Sequence, residues 1–242
     1  MEILREIVDD ICDCNIEHVS IGVFLTAVFG KRCGLATTMK DVKPKNGACR
    51  IANAGSLQQL SSRELSNYVL SSNLLEASVG MAAVNSCLPD VSADLCCDIN
   101  AYNIIVKHGA GKVIAVIGHF PFVSRLKDIA KKLYVFSQSP VEGDLFPEDE
   151  PELLPRADVV AITGTSLINH TFSDILSFIK KDAYRIILGP SVPLTRILFD
   201  YGIDAVCGAI VYDANALIKS LDQGVIFKDL PGKRLVAMMK KK

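Results

Sequence analysis

The sequence predicts an α/β protein in which a doubly wound parallel sheet is preceded by a smaller α+β unit. Three observations carry that prediction. A β-branched run, "VIAVIG", ends in Gly118 and is followed by the amphipathic "VSRL", as the first strand, loop and helix of a doubly wound sheet would be. Beyond about residue 100, short apolar runs alternate with helical periodicity, the pattern of a parallel sheet with crossover helices. Before residue 100 the pattern is different, with helices flanking a hairpin. The expected division is therefore residues 1–100 and 101–242.

In chain order, "EILREIVDDI" places Ile3, Leu4, Ile7, Val8 and Ile11 on one helical face. "VSIGVFLTAVFGKRCGLATT" predicts two strands joined near Gly30-Lys31. Two helices follow. Ser61 with Glu64, and Asn73 with Glu76, have capping-box spacing. The second helix, "LLEASVGMAAVNSCL", is rich in small residues that permit close packing, and Pro89 follows it. Past residue 100, "KVIAVIG" predicts a strand, "VSRLKDIAKKL" a helix, and "LYVFS" and "ADVVAITG" two further strands. Next comes a helix with Leu167, Ile168, Thr171, Phe172, Ile175, Leu176 and Ile179 on one face. "YRIILG" leads to "LTRILFDYG", ended by Gly202. "DAVCGAIVYD" leads to "ANALIKSLDQG", with Asp213 as N-cap and Gly224 as stop. The acidic "EGDLFPEDEPELLP" predicts a solvated crossover loop.

Composition narrows the function classes. Among 242 residues, half are hydrophobic and 22% are charged, so a sizeable core is expected and disorder is not. A net charge of −1 gives no global field for nucleic acid or anionic membrane. Neither a secretory signal nor a bilayer-length apolar run is present, which points to a cytoplasmic protein. The eight cysteines include no Cys-x-x-Cys pair. Cys12 with Cys14, or Cys96 with Cys97, could bind a soft metal, but no zinc spacing emerges. Reduced, mostly buried thiols are the favoured reading, and no tightly held structural metal is expected. The composition is compatible with a homo-oligomer. The terminal Lys240, Lys241 and Lys242 read as a solvated tail.

Ligands of an open parallel sheet bind beyond the strand carboxyl ends. Three loops there are unusual: Gly118-His119-Phe120-Pro121, Thr163-Gly164-Thr165-Ser166, and Gly189-Pro190-Ser191-Val192-Pro193. Proline removes backbone donors that a diphosphate cradle needs, so a compact ligand in a pre-shaped pocket is favoured. His119 is the candidate catalytic group, because its imidazole exchanges protons near neutral pH. The ring of Phe120 either stacks on a planar ligand or packs on the sheet. His18 and His108, near element boundaries, are expected to be exposed; His170 is a weaker site candidate. Asn169 offers an amide, and Thr163, Thr165 and Ser166 offer hydroxyls, one of the last two being an expected helix cap. Asn169-His170-Thr171 matches the glycosylation sequon by chance.

The stretches "VIAVIGHFPF", "ADVVAITGTSLINHTF", "GPSVPLTRILFDYGIDAVCGAIVYD" and "ASVGMAAVNS" resemble the "putative heavy-metal chelation" family, a family of unknown function in bacteria and archaea. The resemblance covers nearly the whole chain. It implies an enolase N-terminal-like domain followed by a Rossmann-like domain, with a site between them. Carried over, that site comprises Gly118, Phe120, Pro121, Thr163, Gly164, Thr165, Asn169, Thr171, Gly189, Pro190 and Ser191, with Asn53, Gly55 and Asn85 from the N-terminal domain. It also implies a planar or metal-chelating metabolite of pterin, flavin or siderophore type, and names no cofactor or metal. Relatives often end the second strand of the sheet with an acidic residue; Ser137 stands there, which weakens an adenosine-cofactor reading. Two alternatives stay open: a methyltransferase-like enzyme using S-adenosylmethionine, and a non-catalytic metal-chelate binding module.

Overall fold

The computed structural model describes residues 1–40, 50–91, 95–97 and 99–240. The chain opens with helix α1 (Glu2–Asp9), which buries Ile3, Leu4, Ile7 and Val8 as its periodicity requires. Strands β1 (His18–Ile21), β2 (Leu25–Phe29) and β3 (Cys33–Thr37) form a three-stranded antiparallel meander. The expected two-stranded hairpin is therefore corrected. A second turn at Gly22, whose N–H donates to the Leu25 carbonyl, interrupts the apolar run and leaves Val23 and Phe24 exposed.

Helix α2 (Ser62–Asn67) carries the full capping box: Ser61 accepts from the Glu64 N–H, and Glu64 reaches back to the Ser61 N–H. Such a cap contributes about 1 kcal/mol. The box expected at helix α3 (Leu74–Cys87) is only half formed. Asn73 accepts from the N–H groups of Leu75 and Glu76, but the Glu76 carboxylate is taken by the Ala52 N–H and the Ser71 hydroxyl. Short strand β4 (Leu95–Cys97) and helix α4 (Ala101–Gly109), neither anticipated, lead into the main sheet.

The remaining elements are β5 (Val113–Ile117), α5 (Val123–Leu126), β6 (Lys132–Phe136), α6 (Glu150–Leu153), β7 (Val159–Thr163), α7 (Thr165–Ile168), α8 (Phe172–Phe178), β8 (Tyr184–Leu188), α9 (Ile197–Asp200), β9 (Ala205–Val211), α10 (Ala214–Asp222) and β10 (Lys233–Met239). The seven-stranded sheet runs β4-β10-β9-β8-β7-β5-β6. Strands β5 to β9 are mutually parallel, whereas β10 is antiparallel to both β9 and β4.

Two expected helices are shortened. The helix after Gly118 keeps only α5, because Lys132 already pairs with Val113 in the ladder and little chain remains. The helix after Thr163 breaks into α7 and α8 at His170, which has φ +63°. There the Asn169 Oδ1 accepts from both the N–H and the hydroxyl of Thr171, so a side chain replaces a helical carbonyl as acceptor. The crossover at 141–156 is not merely solvated: it carries α6 and buries Leu154 and Glu150. His108, expected to be exposed, is half-buried and stacks on Tyr184 at 3.7 Å.

Alternation along the parallel strands divides the core. Ile114 and Val116 pack with Ile105 of α4 and Leu126 of α5. Ala115 and Ile117 face the other way, into a core that continues without interruption through Phe172 and Leu198 to Met81, Val84 and Ile7 of the N-terminal region. Leu217 and Leu221 of α10 cover the outer side of the meander, against Leu25 and Leu35. Asp213 caps α10 by accepting from the Ala216 N–H, as expected. Cys14 and Cys87 are free thiols sharing a hydrogen bond of 2.9 Å. The side chains of Cys96 and Cys97 lie outside the described residues, as do Lys241 and Lys242.

Candidate functional site

Strand β5 pairs with β6 on one side and β7 on the other, so the chain reverses its direction of travel across the sheet at β5. The crevice beyond the carboxyl ends of β5 and β7 is thus the topological switch point, where open α/β sheets bind ligands. Two connected cavities lie there and share Gly118, Thr163 and Thr165.

The outer cavity, about 280 Å³, brings together parts of all three unusual loops: Gly118, His119 and Phe120; Thr163, Gly164 and Thr165; and Gly189, Pro190 and Ser191. Thr37, at the end of β3, joins them from the N-terminal region. Glycine is required at two points. Gly118 has φ +98°, and a Cβ there would stand 3.0 Å from the Thr163 Cβ. A Cβ on Gly164 would meet Val192, including its backbone nitrogen at 3.0 Å. Larger residues would push the loops apart and change the crevice.

Many hydroxyls are already engaged. The Ser191 hydroxyl is fully buried, accepts from the Thr37 N–H at 2.8 Å and donates to Thr37 Oγ1 at 3.2 Å, tying the third loop to the meander. Ser166 donates to the Thr163 carbonyl. The side-chain cap expected from Thr165 or Ser166 does not form: Gly164 stands at the N-cap of α7, and the Thr163 hydroxyl just before it accepts from the Thr165 N–H at 3.3 Å. Thr163 Oγ1 and Thr165 Oγ1 lie 2.9 Å apart.

The inner cavity, about 240 Å³, lies under the crossover and contains Asn169 and Thr171. Its apolar wall comprises Ile117, Phe136 and Ile175; Ser137, Gln138 and Ser139 lie along the β6 end. The sequence reading missed Glu150 here. This residue is 8% exposed, and its carboxyl has no hydrogen-bond partner among the described residues. Burial, reinforced by the nearby Glu148 charge, pushes its pKa up to about 7. The available signal was Glu150 preceding Leu153 and Leu154 at helical spacing within an otherwise acidic stretch.

His119 is half-exposed at the outer cavity, and its Nδ1 lies 3.0 Å from Oδ2 of Asp144. Asp144, also missed, has a side chain only 5% exposed and accepts from the Val141 N–H as well. In the tautomer that donates Nδ1–H to this carboxylate, Nε2 is left as the accepting nitrogen. Phe120 both borders the cavity and stacks on Phe122, with centroids 5.4 Å apart.

Other candidates lie elsewhere. Pro121 borders an adjoining groove that shares His119 and Phe120 with the outer cavity and carries Lys127, Lys131 and Lys132. Asn85 donates to the Leu35 carbonyl and lines a small crevice with Pro190. Asn53 and Gly55 are exposed and border neither cavity; Asn53 has φ +58° and donates to the Tyr68 hydroxyl. His170 is engaged with the Val69 carbonyl at 2.8 Å. Among the described residues no group of three or more His, Cys, Asp or Glu side chains could hold a metal ion. No helix among them is long and apolar enough to cross a membrane.

Two sequence families match the chain, over residues 4–88 and 100–240, and both are described as "Putative heavy-metal chelation". An uncharacterized protein of Methanocaldococcus jannaschii is 29% identical over 174 residues, 68% of this chain and 67% of that one. Two solved structures of proteins of unknown function share the fold. The one from Desulfitobacterium hafniense has a TM-score of 0.87 at 24% identity, covering 99% of this chain and 98% of that one. The one from Pyrococcus horikoshii has a TM-score of 0.82 at 21% identity, covering 98% of each.

Proposed function

Since the chain belongs to the family described as "Putative heavy-metal chelation", we propose that it binds a compact planar or metal-chelating metabolite at the switch-point crevice. In this reading the meander with its helices, within residues 1–100, is an enolase N-terminal-like domain, residues 101–242 form a Rossmann-like domain, and β4 crosses that division to pair with β10. The observation that carries it is the convergence of three strand-end loops and Thr37 on one crevice.

The donor set does not suit a bare heavy-metal ion. It consists of hydroxyls, amides, one buried carboxyl and one imidazole, with no cluster of metal-ligating side chains among the described residues. A metal would therefore arrive as cargo already held by the metabolite. The protein's share is to recognise the organic part. Thr163, Thr165 and the Asn169 amide supply polar contacts, and Ile117, Phe136 and Ile175 supply apolar ones. The His119–Asp144 pair is placed to move a proton at the outer cavity.

The test is co-purification. The protein is incubated with a metabolite extract, and retained compounds are identified by mass spectrometry. The expected result is a retained chelator or planar metabolite that is lost in Thr165→Phe, which fills the junction of the two cavities. Retention of the same compound by that variant would overturn the reading.

A further inference from the structure

The charges around the two cavities are one-sided. Neither lining contains a lysine or arginine among the described residues. The one basic side chain is His119, and it is already held against Asp144. On the other side stands Glu150, nine-tenths buried and unpartnered, beside Ile117, Phe136 and Ile175. A carboxyl in that position is costly unless something pairs with it, and no described side chain does. An anionic ligand within these two cavities would meet no lysine or arginine of their linings and would be repelled by Glu150; Lys127, Lys131 and Lys132 line the adjoining groove beyond His119. A ligand bearing a cationic nitrogen, or a paired N–H edge, would supply the missing partner.

Building on the ligand-binding reading above, we propose that Glu150 is a specificity-determining residue and that the crevice selects metabolites presenting an amidine-like or protonated nitrogen group to its carboxylate. Phosphorylated and carboxylate-rich ligands are selected against. A rigid nitrogen heterocycle is favoured over a flexible amine beside the apolar Ile117, Phe136 and Ile175, because less freedom is lost on binding.

Two probes of nearly the same shape and opposite charge test this: benzamidinium and benzoate. Each is titrated into the full-length protein, and the backbone amide signals of Gly118 and Gly164 are followed by NMR. The expected result is that benzamidinium shifts both signals and binds more tightly than benzoate. In Glu150→Gln the benzamidinium affinity should fall roughly 10–100-fold, the loss of a charge-assisted hydrogen bond. Benzoate binding as tightly as benzamidinium in the parent protein would overturn the proposal without any variant. So would a benzamidinium affinity unchanged in a folded Glu150→Gln, or no shift at either glycine. A co-purifying metabolite that maps to these loops but carries no nitrogen donor would overturn this proposal alone. One that maps elsewhere would also remove the reading it rests on.

Discussion

Asp144 and Glu150 belong to the same acidic crossover, and their surroundings could hardly differ more. The Asp144 carboxylate is enclosed by its own neighbourhood, accepting from the Val141 N–H and facing the His119 imidazole. The Glu150 carboxyl also belongs to a largely buried residue, but it opens on the inner cavity beside hydrocarbon and the charge of Glu148. One acid is satisfied by the fold and fixes a neighbour. The other is left unsatisfied and faces a cavity. In a buried acid, the partner matters more than the burial: a paired carboxylate builds structure, whereas an unpaired one is poised for a ligand or a proton.

The largest expected effect breaks the satisfied side of this comparison. Asp144→Ala leaves the Val141 N–H and the His119 ring without their shared acceptor. A loss of about 1–3 kcal/mol is expected in urea unfolding, with Asp144→Asn losing less because its amide oxygen still accepts. An Asp144→Ala protein as stable as the parent would show that the pairing does not hold the crossover.

The unsatisfied side should respond with the opposite sign. The folded-state pKa of Glu150, about 7, lies above its ordinary value of 4.5, so the native state holds a proton that the unfolded chain releases. Its contribution is therefore fully present below about pH 4.5 and is lost as the pH rises through 7. Glu150→Gln should remove that loss and stabilise the protein at pH 8 by about 1–2 kcal/mol, while weakening benzamidinium. Thermal unfolding of parent and variant at pH 5 and pH 8 checks both sign and window; equal differences at the two pH values would contradict it.

A smaller effect sharpens the assignment of cause. Glu148 is exposed and only adds repulsion to a shift caused first by burial. Glu148→Gln should thus raise stability at pH 8 by only a few tenths of a kcal/mol. It should also lower the Glu150 titration midpoint slightly, which carboxyl-carbon NMR on labelled glutamate would follow. A midpoint that collapsed to the ordinary glutamate range would make charge, rather than burial, the main cause.

Much of the frame was legible locally. The Ser61–Glu64 box and the Asp213 cap depend on side chains reaching backbone groups three residues away, so spacing alone reveals them. The same holds for β5, β7 and β8, whose buried apolar runs end in loops that carry Gly118, Gly164 and Gly189. Elements shaped by competition were less legible. Asn169 diverts a helix that apolar periodicity extends straight through, and Gly22 folds one long apolar run into two strands.

By itself, then, the sequence determined most of the strands and helices, though not β4 or α4, and which loops end the parallel strands, because propensity, capping and alternation act over a few residues. The order of the strands was decided only in three dimensions. The reversal at β5 depends on which way each crossover runs, and it brings the Gly118 and Thr163 loops together at one crevice. The pairing of His119 with Asp144 spans 25 residues, and the tie from Thr37 to Ser191 spans 154. No short-range pattern encodes such contacts. The same holds for Glu150: its identity is written in the chain, but its burial and lack of a partner follow from what the folded crossover packs against, because desolvation is a property of the whole enclosure.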